Sequence, residues 1–189
     1  MRGTNEACVD DGFQAITSLS RSLGGEVDLA DVGSLLWVVL RQMVPCDAMA
    51  LFVPDPEGGQ NVLRYAAGAH ADKLIGLRRP VEVGIAGWVA ANCRSVLNAE
   101  PVFDLGYRAN FAPALRSSVA VPLLDNGTVV AVLVLYSKNL LAFTDEQAAM
   151  LELLGPRLAV TLADVAAVQD DLSPDPGPVM RLVAPGVRA

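Results

Sequence analysis

His70 is the single histidine in this 189-residue sequence, and the cysteines number three: Cys8, Cys46 and Cys93. An odd count at wide spacing gives neither a disulfide framework nor the paired spacing of a metal site. A lone His70 between Ala69 and Ala71 supplies no visible nucleophile–base pair, so no catalytic residue is assigned. Basic residues are sparse, 14 Lys and Arg against 21 Asp and Glu, for a formal net charge of −7. They form no run. Nucleic-acid binding needs a basic footprint that displaces phosphate counterions, and membrane-surface binding needs a basic cluster, so neither partner is expected. Long apolar runs are missing as well. The longest, Thr128 to Tyr136, falls far short of the roughly 20 residues of a membrane helix. Near the start, Glu6, Asp10 and Asp11 stand where a secretion signal would be basic and then apolar. A cytoplasmic location is the expectation.

What is present is a core. Apolar residues make up 52% and charged residues 19%, enough for one folded domain. Helical spacing of Val9, Phe13, Ile16, Leu19 and Leu23 predicts a first helix, stopped by Gly24-Gly25. Asp28 caps a second, with Leu29, Val32, Leu35, Leu36, Val39, Leu40 and Met43 on its buried side, and Pro45 ends it. Cys46–Val53 and Asn61–Ala67 read as a strand pair around a Pro- and Gly-rich turn. A short helix or loop over 70–77 and an extended piece over 79–83 lead to Gly84. Ile85–Asn92 is a short helix and Ser95–Asn98 a strand. Residues 99–114 form a long connection, a length that in a compact domain goes with function. Ser117–Leu124 and Val129–Ser137 are strands joined by Asp125-Asn126-Gly127, a hairpin signal because Asn and Gly tolerate positive φ. Thr144-Asp145-Glu146 opens a last helix that reaches about residue 171. Pro174, Pro176, Pro178 and Pro185 prevent its continuation. Acids such as Asp28, Asp125 and Asp145 fall on caps and turns, where a structural role suffices. The order is α+β, an antiparallel sheet with helices packed on one face.

One ordered pattern is more specific. Gly84-Ile85-Ala86-Gly87-Trp88 runs into Val89-Ala90-Ala91-Asn92 and the strand at 95–98. After the long connection come Leu115-Arg116-Ser117-Ser118-Val119-Ala120-Val121-Pro122-Leu123, the Asn-Gly turn and the run Val129–Leu135. This pattern, over roughly 28–166, resembles a GAF domain, a small-molecule sensing and dimerisation module of signalling proteins. The resemblance implies a central sheet with the terminal helices on one face and a cover of loop and short helices on the other. It also implies three segments: an N-terminal helix over 1–27, the sensory domain with its C-terminal signalling helix over 28–172, and a flexible tail or linker over 173–189. A ligand pocket would lie under the cover. Its implied lining is Phe52, Tyr65, Trp88, Asn98, Phe103, Asp104, Tyr107, Asn110, Phe111, Arg116, Ser117 and Ser118, aromatic faces with a few polar groups to orient a ligand. Taken singly, Phe52, Trp88 and Phe111 also suit ordinary core.

The family's better-known ligands find little support. The Asn-Lys pair of cyclic-nucleotide binders is missing, and Cys46 and Cys93 have no neighbouring histidine of the kind that accompanies bilin attachment. His70 in a loop reads as a surface residue, not a haem ligand. The cofactor is left open, and no metal is expected. The spacing of the three cysteines does not match the cluster of the family's free-methionine-sulfoxide reductases, so that activity stays a weaker alternative. The last helix carries a seam stepping by four and three, with Leu151, Leu154, Leu158, Val165, Val168 and Leu172. It is expected to pair in a homodimer, while Leu153, Val160, Leu162 and Ala163 face the domain's own sheet. Pro156 predicts a kink near 152–156. The expected function is a sensory domain that binds an unidentified small molecule under 99–114 and signals through dimeric helices to a fused or partner output domain. The alternative is a ligand-free dimerisation or protein-docking module.

Overall fold

The computed structural model describes residues 29–55, 57–106, 109 and 114–172, with backbone alone for 164–172. The helix expected over 9–23, the Asp28 cap and the 173–189 tail lie outside the described residues. The elements in chain order are α1 (Leu29–Met43), β1 (Ala48–Asp55), β2 (Gln60–Gly68), α2 (Ala71–Leu74), β3 (Arg78–Pro80), α3 (Gly84–Asn92), β4 (Val96–Ala99), α4 (Val102–Leu105), β5 (Ser117–Asp125), β6 (Thr128–Ser137) and α5 (Asp145–Leu172). The strands form one six-stranded antiparallel sheet in the order β3-β2-β1-β6-β5-β4.

Both faces of the sheet are covered, which is why its central strands read as continuous apolar runs and not as alternating ones. Met49, Leu51, Val119, Val121, Leu123, Leu133 and Leu135 point to one side. There they meet Val32, Leu36 and Leu40 of α1 and Leu151, Leu154, Leu158 and Leu162 of α5. Ala48, Ala50, Phe52, Ala120, Val132, Val134 and Tyr136 point to the other, toward Leu74 and Leu77, Ile85 and Val89 of α3, and Leu105 of α4. Each large side chain so buried contributes about 1.5–3 kcal/mol relative to exposure. The described helices include none long and apolar enough to cross a membrane.

Two local devices set what faces what. A β-bulge lets Leu51 pair with Tyr65 while Phe52 pairs with Leu63, so Arg64 is the extra residue. Leu63 therefore faces the cover and Tyr65 the helices. At the head of α5, the Thr144 N–H donates to the Gln147 side chain, and the Gln147 N–H donates back to Thr144 Oγ1. That reciprocal pair satisfies helix-start donors. α5 is helical throughout Asp145–Leu172 with Pro156 inside it.

The paired-helix expectation for α5 needs correction. Leu151, Leu154 and Leu158 are buried against the domain's own sheet, whereas Leu153 is 80% exposed and Val160 half exposed. Leu162 packs on the sheet as expected, Leu151, Leu154 and Leu158 join it there, and Leu153 and Val160 turn outward instead. The side chains of Val165, Val168 and Leu172 lie outside the described residues. On α1, Leu35 also turns outward, together with Val38.

Candidate functional site

Helix α3 starts without a cap of its own. Val83 precedes it and offers no side-chain oxygen to the first N–H groups, where Ser, Thr, Asp or Asn would ordinarily serve. The missing acceptor comes from another element. Asp104 on α4 accepts a hydrogen bond from the Ala86 N–H at 2.8 Å, and the Ile85 N–H supports the same carboxyl. The helix dipole favours a negative charge there. Burial opposes it more strongly: Asp104 is 1% exposed, and its carboxyl is pushed up to about 6, chiefly by loss of water, against the pull of Ala86, Ile85 and Arg79.

Close approach makes this bond possible. Gly84 has φ +85, and a Cβ there would lie 2.7 Å from the Phe103 carbonyl and 2.9 Å from Asp104 Oδ1. Only glycine lets α3 seat on α4. Arg79 on β3 ties the same spot down, its Nη2 donating to the Phe103 carbonyl at 3.2 Å.

Above this junction runs an open groove of about 410 Å³, lined by Gly84, Ile85, Trp88, Val96 and Phe103. Trp88 is 45% and Phe103 58% exposed, so two aromatic rings are left partly in water at its walls. Below it, Tyr136 is fully buried, and its hydroxyl and Asp104 Oδ2 have no hydrogen-bond partner among the described residues. The Tyr136 hydroxyl is held well above its ordinary range by burial and then by the Asp104 charge.

Of the lining expected from sequence, the structure brings Trp88, Phe103 and Asp104 together here. Phe52 is fully buried in the core beneath the cover. Tyr65 is turned to the opposite face by the bulge, where its ring meets Gly33 and its hydroxyl donates to Ser34 Oγ. Asn98 is a structural clamp: its amide donates to the Phe143 carbonyl at 2.7 Å and accepts from the Phe143 N–H at 3.0 Å. Ser117 Oγ donates to the Asn139 carbonyl, and Ser118 Oγ to the Ala99 carbonyl. The Arg116 side chain is exposed. Tyr107, Asn110 and Phe111 lie outside the described residues. Sequence reading missed Ile85, Val96 and Tyr136. Tyr136 was legible in principle, because residues 132, 134 and 136 share one face of a strand.

Cys46 and Cys93 carry free thiols. Cys46 packs on the helical face of the sheet, and its thiol is pushed up to about 11 by burial and then by Asp47. Cys93 ends α3 on the cover side and is exposed. The described residues contain no group of His, Cys, Asp and Glu able to hold a metal ion.

The model of the GAF domain family matches residues 28–163. No curated protein matches. Among solved structures, the chain is similar to the GAF domain of an Acinetobacter phosphoenolpyruvate-protein phosphotransferase, with TM-score 0.67 and 19% identity over 90% of this chain and 99% of that one. It is similar to a free methionine-R-sulfoxide reductase from Neisseria meningitidis solved with its substrate, with TM-score 0.60 and 22% identity over 82% and 88%. It is also similar to the GAF domain of a two-component sensor histidine kinase from Bacillus halodurans, with TM-score 0.61 and 18% identity over 75% and 98%. At these identities the structural likeness shows the fold alone.

Proposed function

Because the chain belongs to the GAF domain family, we propose that it is a sensory or regulatory domain of signal transduction, without catalytic activity of its own. It binds a small molecule in the groove between α3 and α4 and passes the event to the helical face of the sheet. The observation that carries this reading is the groove itself, with Trp88 and Phe103 left partly exposed at its walls over a buried carboxylate. Large aromatic rings beside a concave surface give a ligand apolar contact area with little ordering cost. Helix α4 contributes Phe103 to the groove, so a ligand there bears on α4 and changes what α3 and β4 press upon. A signal follows only if the ligand prefers one arrangement of the helices over the other.

The non-catalytic reading rests on the thiols. Cys46 is protonated at neutral pH and packs among the buried residues of the helical face, whereas Cys93 is exposed at the end of α3 beside Glu152 and Pro156 of α5, so thiol chemistry between them is not favoured. Free thiols also suit a reducing compartment, and the cytoplasm is the proposed location.

A homodimer through the helical layer completes the proposal. Leu35 and Val38 on α1 and Leu153 and Val160 on α5 are exposed apolar residues on the two helices that cover one face. The same feature favours the second reading, a dimerisation or docking module with no ligand.

Native mass spectrometry separates the two. An added small-molecule mass on a dimer, with slower hydrogen exchange in 84–106 and in α5 when that molecule is present, is the expected result. A dimer without added mass, whose exchange is unchanged by small molecules, supports the docking module.

A further inference from the structure

Four buried side-chain atoms lack a hydrogen-bond partner among the described residues: Asn61 Oδ1, Arg79 Nε, Asp104 Oδ2 and Tyr136 Oη. An unpaired buried carboxylate oxygen is the costliest of these, because burial strips a charged group of water. Asp104 is fully buried next to the groove: its Oδ1, the oxygen that accepts from the Ala86 N–H, lies 2.9 Å from where a Gly84 side chain would begin, and Gly84, Ile85 and Phe103 line the groove. Arg79 is a neighbouring cation that favours the charged carboxyl, and its Nη2 donates to the Phe103 carbonyl.

We propose that the groove between α3 and α4 is selective for a small amphipathic amine, with an apolar or aromatic body between Trp88 and Phe103 and a protonated nitrogen directed to Asp104. This rests on the reading of the groove as a ligand site and names the class of ligand. Three features converge on a cation. Among the described residues, the carboxylate has no partner on Oδ2. The walls present two aromatic rings, whose faces attract cations. The chain carries a formal net charge of −7, which disfavours an anion. The Tyr136 hydroxyl, both donor and acceptor, is the second orphan group near that charge. An uncharged ligand of the same shape fills the groove but leaves the carboxylate unpaired.

The test compares 2-phenylethylamine, 2-phenylethanol and phenylacetate, three probes of one shape and different charge, by ligand-observed NMR titration of the full chain at pH 7.5. The amine is expected to bind at least roughly tenfold more tightly than the other two. Asp104→Asn keeps the acceptor for the Ala86 N–H and removes the charge, so the amine should fall to the level of the alcohol. Trp88→Ala, at an exposed ring, should weaken all three without loss of thermal stability. Equal binding of the three probes, or full retention of amine binding in D104N, overturns the inference. If the alcohol or phenylacetate binds best, the groove is a ligand site of another class and the sensory reading stands. If none binds, the amine class falls, and the hydrogen-exchange experiment above still decides the sensory reading.

Discussion

Asp104 joins two requirements in one side chain, since it caps α3 and it sits behind the groove. Its carboxyl titrates near 6 in the fold against a usual 3.8. Between those values the folded protein holds a proton that the unfolded chain has released. The stabilising contribution is therefore complete below about pH 4 and lost as pH rises through 6, on the order of 3 kcal/mol. The groups that face it are Arg79 from β3 and the Tyr136 hydroxyl from β6. Urea denaturation from pH 3.5 to 7.5 should show this fall in the parent protein and a flatter profile in D104N, whose stability at pH 7.5 should match or exceed the parent's. An unchanged slope in D104N would falsify this assignment. Gly84 is the companion residue. Gly84→Ala meets the Phe103 carbonyl at 2.7 Å with φ +85, and a loss of about 1–3 kcal/mol is expected by thermal melting. These two residues differed in legibility. Gly84 stood out because a glycine turn has a motif. Asp104 was legible only as a polar residue in a long connection, and its burial depends on where α3 docks.

At the scale of elements, the two strand pairs, the Asn126-Gly127 turn and the start of α5 were readable, because each has a local cause. Asn126 and Gly127 adopt φ 47 and 83, as a tight hairpin demands. What could not be read were choices made by packing. The bulge at Arg64 flips Tyr65 away from the groove, and nothing in Asn61–Ala67 marks it. Its counterpart is Gly33 on α1, where a Cβ would lie 2.5 Å from the Tyr65 ring. Gly33→Ala should destabilise by about 1–3 kcal/mol through overpacking, and Tyr65→Ala in the same chain should recover part of it in a double-mutant cycle. On α5, a four-and-three stripe suits a coiled coil and a sheet-packed helix equally. The buried face decides it: Leu158→Ala should cost about 2–5 kcal/mol, whereas Leu153→Ala should stay within about 0.5 kcal/mol.

At the scale of the molecule, the sheet separates two surfaces with different tasks. The groove opens on the cover side, and the exposed Leu35, Val38, Leu153 and Val160 lie on the two helices of the other side. If association uses the helical layer, Leu153→Glu combined with Val160→Glu should convert a dimer to a monomer at an unchanged melting temperature, read by analytical ultracentrifugation. A dimer that survives the double substitution places the contact elsewhere. The fold as a whole was legible because element order gives an antiparallel sheet with helices on one face, and the resemblance to GAF domains implies the cover on the other. Outward and inward assignments were less so, since α1, α3, α4 and α5 each carry large apolar residues beyond those their buried faces use.

The two outermost strands bear on solubility. β3 has three residues, two of them arginine, and ends in Pro80, which has no N–H to offer a neighbour. β4 has four, with its register broken at Asn98, where φ is 54 and the amide is spent on Phe143. Neither margin presents a regular row of free backbone donors and acceptors, so copies of the sheet cannot readily concatenate strand to strand. A chain this apolar is thereby guarded against fibrillar growth at the places where a β-rich protein is most exposed to it. Repairing a margin, by Pro80→Val together with Asn98→Val, should lower the concentration at which the protein forms thioflavin-positive aggregates.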